Sequence, residues 1–170
     1  RRLAHRGPDD AGALSWRPGA RAVTSDDPRD LPPGNVLLAH RRLSILDLSD
    51  AAAQPMSDPA GRRHLVFNGE IYNYLELREE LAAAGWRFSS TGDTETLLAA
   101  LSLWGERALE RLTGMFAAAF LDTDARSLLL VRDPFGIKPL YYARTAGGDL
   151  AFASEVPALL AAGEVDRGID

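Results

Sequence analysis

Cysteine is absent from all 170 residues of the sequence. This absence excludes disulfides, thiolate metal sites and any thiol nucleophile within these residues. The histidines, His5, His40 and His64, lack the spacing that gathers metal ligands on one helical face, so we predict no metal site. The chemistry of the chain must rest on other side chains, or on residues outside this sequence.

Runs of positive charge and long apolar segments are also missing. The net charge is -5, and no lysine- or arginine-rich run occurs, so we expect no nucleic-acid partner. The apolar run 115–121 is far shorter than the ~20 residues of a membrane-spanning helix, so we expect no membrane partner either. Phosphate-binding glycine loops and the serine nucleophile elbow do not occur.

The composition is that of a folded domain, with 46% hydrophobic and 25% charged residues. A chain of this length can bury enough apolar surface for one core, so we predict a single domain over residues 1–170. The first residue is Arg1 rather than methionine, and we interpret the sequence as a fragment of a longer chain.

Strand patterns occupy both ends of the sequence, and helix patterns occupy its middle. Apolar residues recur with helical spacing in two segments, from Tyr74 to a stop at Gly85 and from a cap at Asp93 or Thr94 to Trp104. Strands are predicted at 11–16, 21–25, 36–39, 64–67, 71–72, 115–121, 127–131, 140–142 and 150–152, and further helices at 106–112 and 156–162. Helices gathered in one block predict an α+β layered fold.

The dipeptide Asn68-Gly69 has two interpretations. Between apolar segments it is first of all a type I′ hairpin signal, because both residues tolerate positive φ. Within the longer string from Phe67 to Asn73, the side-chain amide and the adjacent glycine N–H are also two donors suited to an oxyanion. Glu70 would add a charge beside them.

Arg42 and Asp93 likewise have a structural and a functional interpretation. Arg42 could pair with Asp47 or Asp50, or its planar guanidinium could bind a substrate carboxylate through two parallel bonds. Asp93 could be an ordinary helix N-cap, or its carboxylate could receive a substrate ammonium group.

Six ordered strings together resemble one family. They are His5 to Asp10, His40 to Ile45, Gln54 to Met56, Asn68 to Asn73, Gly92 to Glu95, and Arg132 to Tyr142. In order and approximate spacing they are similar to the class II glutamine amidotransferase domain of asparagine synthetases, over nearly the full chain.

The resemblance implies an N-terminal nucleophile hydrolase fold, an αββα sandwich, here without its first strand and adjoining helix. The family's nucleophile is an N-terminal cysteine on that strand, so the fragment alone should be inactive. The free α-amino group, with an ordinary pKa near ~7.7–8.0, acts as the base, and no histidine is needed.

The resemblance also implies roles for residues of this chain. Asn68 and the Gly69 N–H would form the oxyanion hole. Arg42, with help from the Ile45 backbone, would hold the α-carboxylate of glutamine, and Glu70 and Asp93 would receive its α-ammonium group.

For the parent protein, the resemblance implies a cytoplasmic enzyme whose glutaminase domain needs no cofactor. Ammonia would travel through a tunnel to a C-terminal synthetase domain, outside this sequence, that uses ATP and magnesium to amidate aspartate. The oligomeric state stays open, a homodimer being one arrangement that the resemblance allows.

Two alternatives stay open. The same glutaminase architecture is attached to other amide-forming partners, so the acceptor could differ from aspartate. The domain could also be a non-catalytic scaffold, as in β-lactam synthetases, although a scaffold has no physical reason to keep Arg42, Asn68, Gly69, Glu70 and Asp93 together.

Overall fold

A computed structural model describes residues 5, 7, 10–42, 50–161 and 165 of the chain. The described strands are β1 (Asp10–Trp16), β2 (Val23–Ser25), β3 (Val36–Arg42), β4 (Met56–Ser57), β5 (Arg63–Ile71), β6 (Gly114–Asp122), β7 (Ser127–Arg132), β8 (Tyr141–Arg144) and β9 (Leu150–Ala153). The described α-helices are α1 (Tyr74–Ala83), α2 (Asp93–Trp104) and α3 (Val156–Ala161). None of these helices has the length and apolar character needed to cross a membrane.

The strands form three antiparallel sheets. The first has the order β2-β1-β3, the second β4-β5-β6-β7, and the third is the pair β8-β9. The longest pairing joins β5 to β6 over nine residue pairs, from Arg63 opposite Asp122 to Ile71 opposite Gly114. This long ladder fixes the position of every residue of β5.

One face of the second sheet packs against the helices. Leu65, Phe67 and Ile71 alternate along β5 and lie in a core with Leu81 of α1 and Leu97 of α2. Alternate residues of a strand point to the same face of its sheet, so this face of β5 is the helix side. Burial of this apolar surface holds α1 and α2 on the sheet.

The opposite face of the second sheet packs against the first sheet. Val66 of β5 and Ala119 of β6 lie in a core with Leu14 of β1 and Leu38 of β3. The helices, the second sheet and the first sheet therefore stack in the order α, β, β, and α3 packs against β8 and β9.

Most predicted elements are confirmed, but two local predictions are wrong. Asn68 and Gly69 do not form a turn, because both lie inside the continuous strand β5. The N-cap of α2 is Gly92, and Asp93 is its first helical residue. The short helix predicted at 106–112 is confirmed, and it is a 3-10 helix over Gly105–Arg111.

Candidate functional site at the open edge of strand β5

Strand β5 has one paired edge and one partly open edge. The N–H of Tyr72 bonds to Thr113 O at 2.7 Å, which extends the ladder with β6. In an antiparallel pair, the backbone N–H and C=O groups of alternate residues face the partner strand. The backbone groups of the even-numbered residues of β5 therefore bond to β6, and those of the odd-numbered residues face the other edge. Strand β4 covers that other edge only at His64 and Leu65.

Side chains cap two of the remaining N–H groups on this open edge. The N–H of Phe67 donates to Gln54 Oε1 at 2.6 Å. The N–H of Ile71 donates to Asp93 Oδ2 at 2.9 Å. Between them lies the N–H of Gly69, to which no side chain is bonded in the part of the chain that the structure describes. Gly69 therefore presents a backbone donor at a gap in the edge.

Gly69 occupies a place that admits no side chain. A Cβ atom there would lie 2.2 Å from Met115 O and 2.7 Å from Phe116 Cα. Both obstacles are backbone atoms of β6, so neither can rotate aside. The glycine thus lets β5 and β6 approach closely just where the free N–H is presented.

Asn68 and Glu70 point into the space between the two stacked sheets. They share the face of Val66, which packs against the first sheet. On the facing strand β3, Leu38, His40 and Arg42 alternate in the same way, and Leu38 is buried in that inter-sheet core. The space between the sheets therefore changes from apolar around Leu38 to polar near Arg42.

Arg42 is 9% exposed, and His40, two residues before it on β3, is half-buried. Burial lowers the pKa of His40 to about 4; a backbone hydrogen bond with Phe67 opposes this shift, Arg42 adds to it, and Asp10 opposes it. Because its pKa lies well below neutrality, the imidazole is neutral at neutral pH. Arg42 therefore brings the positive charge to this region of the interface.

Asp93 lies at the first turn of α2 and is 5% exposed. Burial raises the pKa of its carboxyl, the N–H groups of Ile71, Asp93 and Thr94 oppose this, and the charge of Glu70 raises it further. Two carboxylates that repel each other across a confined space favour the arrival of a cation. The pair is suited to an ammonium group.

The described residues thus place three kinds of polar group around this part of the interface. Asn68 and Gly69 offer neutral donors, Glu70 and Asp93 offer negative charge, and Arg42 on the facing sheet offers positive charge. Preorganised donors of this kind stabilise a developing oxyanion.

Five of the six predicted site residues lie within the described part of the chain. Asn68, Gly69 and Glu70 are consecutive on β5, Asp93 is bonded to the same strand, and Arg42 lies on the inner face of β3. Ile45 lies outside the described residues. So does Asp47, a suggested ion-pair partner of Arg42.

Three residues near the site have contacts that the sequence patterns did not indicate. Gln54 lies in one of the six strings that carry the family resemblance. It accepts a hydrogen bond from the N–H of Phe67, a contact between two segments that no sequence periodicity links. Arg78 lies among the charged residues of α1, yet it is half-buried and donates to Ser90 O and Gly92 O. Glu95 lies in the first turn of α2, and it accepts hydrogen bonds from the N–H and the hydroxyl of Ser90. No local sequence signal predicts these contacts.

Curated relatives of the chain include several named as asparagine synthetases. A putative glutamine-hydrolysing asparagine synthetase of Mycobacterium tuberculosis is 45% identical over 163 residues, which cover 93% of this chain and 23% of the relative. Glutamine-hydrolysing asparagine synthetase 1 of Bacillus subtilis is 41% identical over 160 residues, which cover 94% of this chain and 22% of the relative. The chain thus spans about a quarter of the length of these relatives.

A solved structure shares the fold. The glutamine phosphoribosylpyrophosphate amidotransferase from Bacillus subtilis, complexed with ADP and GMP, matches with a TM-score of 0.80 at 22% identity over 96% of this chain and 39% of that chain. At this identity the likeness shows the fold, and it confirms the predicted N-terminal nucleophile hydrolase architecture. The family model described as a glutamine amidotransferase domain matches residues 1–170. The chain therefore belongs to the glutamine amidotransferase domain family.

Proposed function

We propose that this domain hydrolyses L-glutamine to glutamate and ammonia. The observation that carries the proposal is the Gly69 N–H at the gap in the β5 edge, beside the Asn68 amide and close to the acids Glu70 and Asp93. A carbonyl oxygen placed between the two donors gains stabilisation as its negative charge develops in the transition state.

The reaction needs a nucleophile that the 170 residues do not contain. In the proposal, a cysteine ahead of Arg1 supplies a thiolate that attacks the side-chain carbonyl carbon of glutamine. The tetrahedral intermediate expels ammonia and becomes a glutamyl thioester, which water then hydrolyses to glutamate and the free thiol. The cysteine's own α-amino group carries the proton, because its ordinary pKa of about 7.7–8.0 suits a base at neutral pH.

Substrate selection in this proposal depends on both ends of the amino acid. Arg42 and the Ile45 backbone bind the α-carboxylate, and Glu70 and Asp93 bind the α-ammonium group. A site built to pair both charged groups disfavours a glutamine residue inside a peptide, since the paired groups would then be left unsatisfied.

For the whole protein, we propose a cytoplasmic, glutamine-hydrolysing asparagine synthetase. The ammonia would pass to a C-terminal synthetase domain that binds ATP and magnesium and amidates aspartate, whereas the glutaminase domain itself would need no cofactor. The relatives that carry this name support the proposal, and their length leaves room for such a domain.

The test uses the full-length native protein. Its N-terminal residue is determined by mass spectrometry, and glutamate release from L-glutamine is measured with and without ATP and aspartate. We expect an N-terminal cysteine, glutamate release, and a covalent glutamyl adduct on that cysteine in rapidly quenched samples. A mature chain without such a cysteine and without glutamate release would refute the proposal and favour the scaffold alternative.

A further inference from the structure

The segment between α1 and α2 is tied to α1 by one arginine. Arg78 donates through one terminal nitrogen to Ser90 O at 2.7 Å and through the other to Gly92 O at 3.3 Å. Its guanidinium also lies over the ring of Phe88, 3.8 Å from the centroid. A planar fork can hold two carbonyls and stack on a ring at once, which a lysine cannot do.

The same segment is tied to α2 by a glutamate. Glu95 Oε2 accepts from the N–H and the hydroxyl of Ser90, both at 2.6 Å, and from the N–H of Ser89 at 3.0 Å. Burial raises the pKa of Glu95, but the bonds from Ser90, Ser89 and Trp86 outweigh it and hold the pKa below its usual range. Glu95 is therefore an ionised anchor on the opposite side of the segment.

One of the two Arg78 hydrogen bonds reaches the peptide that precedes Asp93. The carbonyl that Arg78 holds at Gly92 belongs to the same planar peptide unit as the Asp93 N–H. The Asp93 carboxylate then bridges from this point to the N–H of Ile71. A rotation of the Gly92–Asp93 peptide would move the carboxylate, and Arg78 opposes that rotation.

We propose that Arg78 is a positioning residue that sets the place of the Asp93 carboxylate, and through it the preference for a substrate with a free α-ammonium group. The inference rests on the proposed function, in which Asp93 binds that ammonium. Arg78 itself touches no substrate in this scheme. Its contribution is to make the charge of Asp93 available at a fixed point beside Glu70.

The test compares two substrates on the full-length protein. L-Glutamine carries the α-ammonium group, and glutaramic acid is the same molecule without it. We expect Arg78→Gln to lower kcat/KM for L-glutamine about tenfold, because it removes charge-assisted hydrogen bonds. We expect kcat/KM for glutaramic acid to stay unchanged, because that substrate makes no use of Asp93.

Two variants serve as controls. Arg87→Gln removes an exposed arginine from the same segment that makes none of these contacts, and it should change neither substrate's kcat/KM. Arg78→Lys keeps the charge but lacks the planar fork, so it should recover part of the preference for L-glutamine. The preference is a ratio of two rates on one preparation, so partial unfolding of a variant would cancel from it.

An equal fall for both substrates in Arg78→Gln would overturn the proposal, because Arg78 would then only support the fold. Asp93→Asn separates this failure from that of the proposed function. If Asp93→Asn lowers the preference and Arg78→Gln does not, only the positioning role is wrong. If Asp93→Asn leaves the preference intact, the assignment of the ammonium site is wrong, and the role of Arg78 falls with it.

Discussion

Gly69→Ala tests the close approach of β5 and β6 at the proposed oxyanion donor. The added Cβ would lie 2.2 Å from Met115 O, about 1.2 Å short of the 3.4 Å at which ordinary contact begins. It would also lie 2.7 Å from Phe116 Cα. Because both obstacles belong to the backbone of a long ladder, the two strands must separate to admit the methyl group.

The stability lost when β5 and β6 separate follows from the hydrogen bonds that join the two strands. The pairs Asn68 with Ala117 and Glu70 with Met115 flank Gly69, and their hydrogen bonds would lengthen. Lost bonds of this kind cost about 1 kcal/mol each, and overpacking a fixed site costs roughly 1–3 kcal/mol, so we expect Gly69→Ala to lose about 2–4 kcal/mol of stability. A displacement near 1 Å of the Gly69 N–H would lower kcat by about 10².

Stability and glutaminase turnover are measured on the same full-length variant, with kcat taken well below its Tm. Gly19→Ala is the control, because Gly19 has a φ of 81° with open space around the Cβ position. An alanine there costs about 1–2 kcal/mol of backbone strain and should leave kcat unchanged. A folded Gly69→Ala variant with the kcat of the parent would refute the placement of the donor.

The remaining predictions concern Arg42 and Asp93, the two charged groups to which the proposed function gives a role in binding glutamine. Arg42→Ala should raise the KM for glutamine with little change in kcat, because a carboxylate clamp contacts ground state and transition state alike; an unchanged KM would contradict this role. Asp93→Asn should raise the KM while leaving Tm at neutral pH unchanged or higher, because burial raises the pKa of Asp93 and disfavours its ionised form. The carboxyl of Asp93 holds its proton more tightly in the native state than in the unfolded state. The stability lost by ionising it therefore grows as pH rises through its native pKa, and this loss vanishes on acidification. The Tm advantage of Asp93→Asn over the parent should therefore shrink in acid. A Tm difference that widens in acid would show that the direction of the Asp93 pKa shift is wrong.

The helices and the hairpin of β6 and β7 could be predicted from local pattern alone. Leu77 and Leu81 recur at helical spacing and are buried on one face of α1, as periodicity requires. The turn between β6 and β7 was marked by polar residues between two apolar runs. In these segments the local preference and the final packing agree.

Asn68-Gly69 shows where local preference fails. The dipeptide favours a turn, but nine pairs with β6 hold it extended, and tertiary pairing outweighs the turn propensity of two residues. The functional interpretation of the same residues needed the longer string and the family resemblance. The open edge itself is invisible in sequence, since it depends on where the short strand β4 ends.

Arg78 and Gln54 show a second limit. A helical pattern places Arg78 on the polar side of α1, but the segment before α2 folds over that side and uses the arginine as its anchor. Gln54 caps the N–H of Phe67 from a distant, non-periodic segment. Contacts between irregular segments follow from packing in three dimensions, which periodicity does not encode.

The most direct test of the account is the kcat of Asn68→Ala for glutamine hydrolysis in the full-length protein. Loss of one oxyanion donor should lower kcat by about 10²–10³ with a smaller effect on KM, because the donor acts mainly on the transition state. Glutamate release at the parental kcat would contradict the account, since the edge of β5 would then not be where the oxyanion forms.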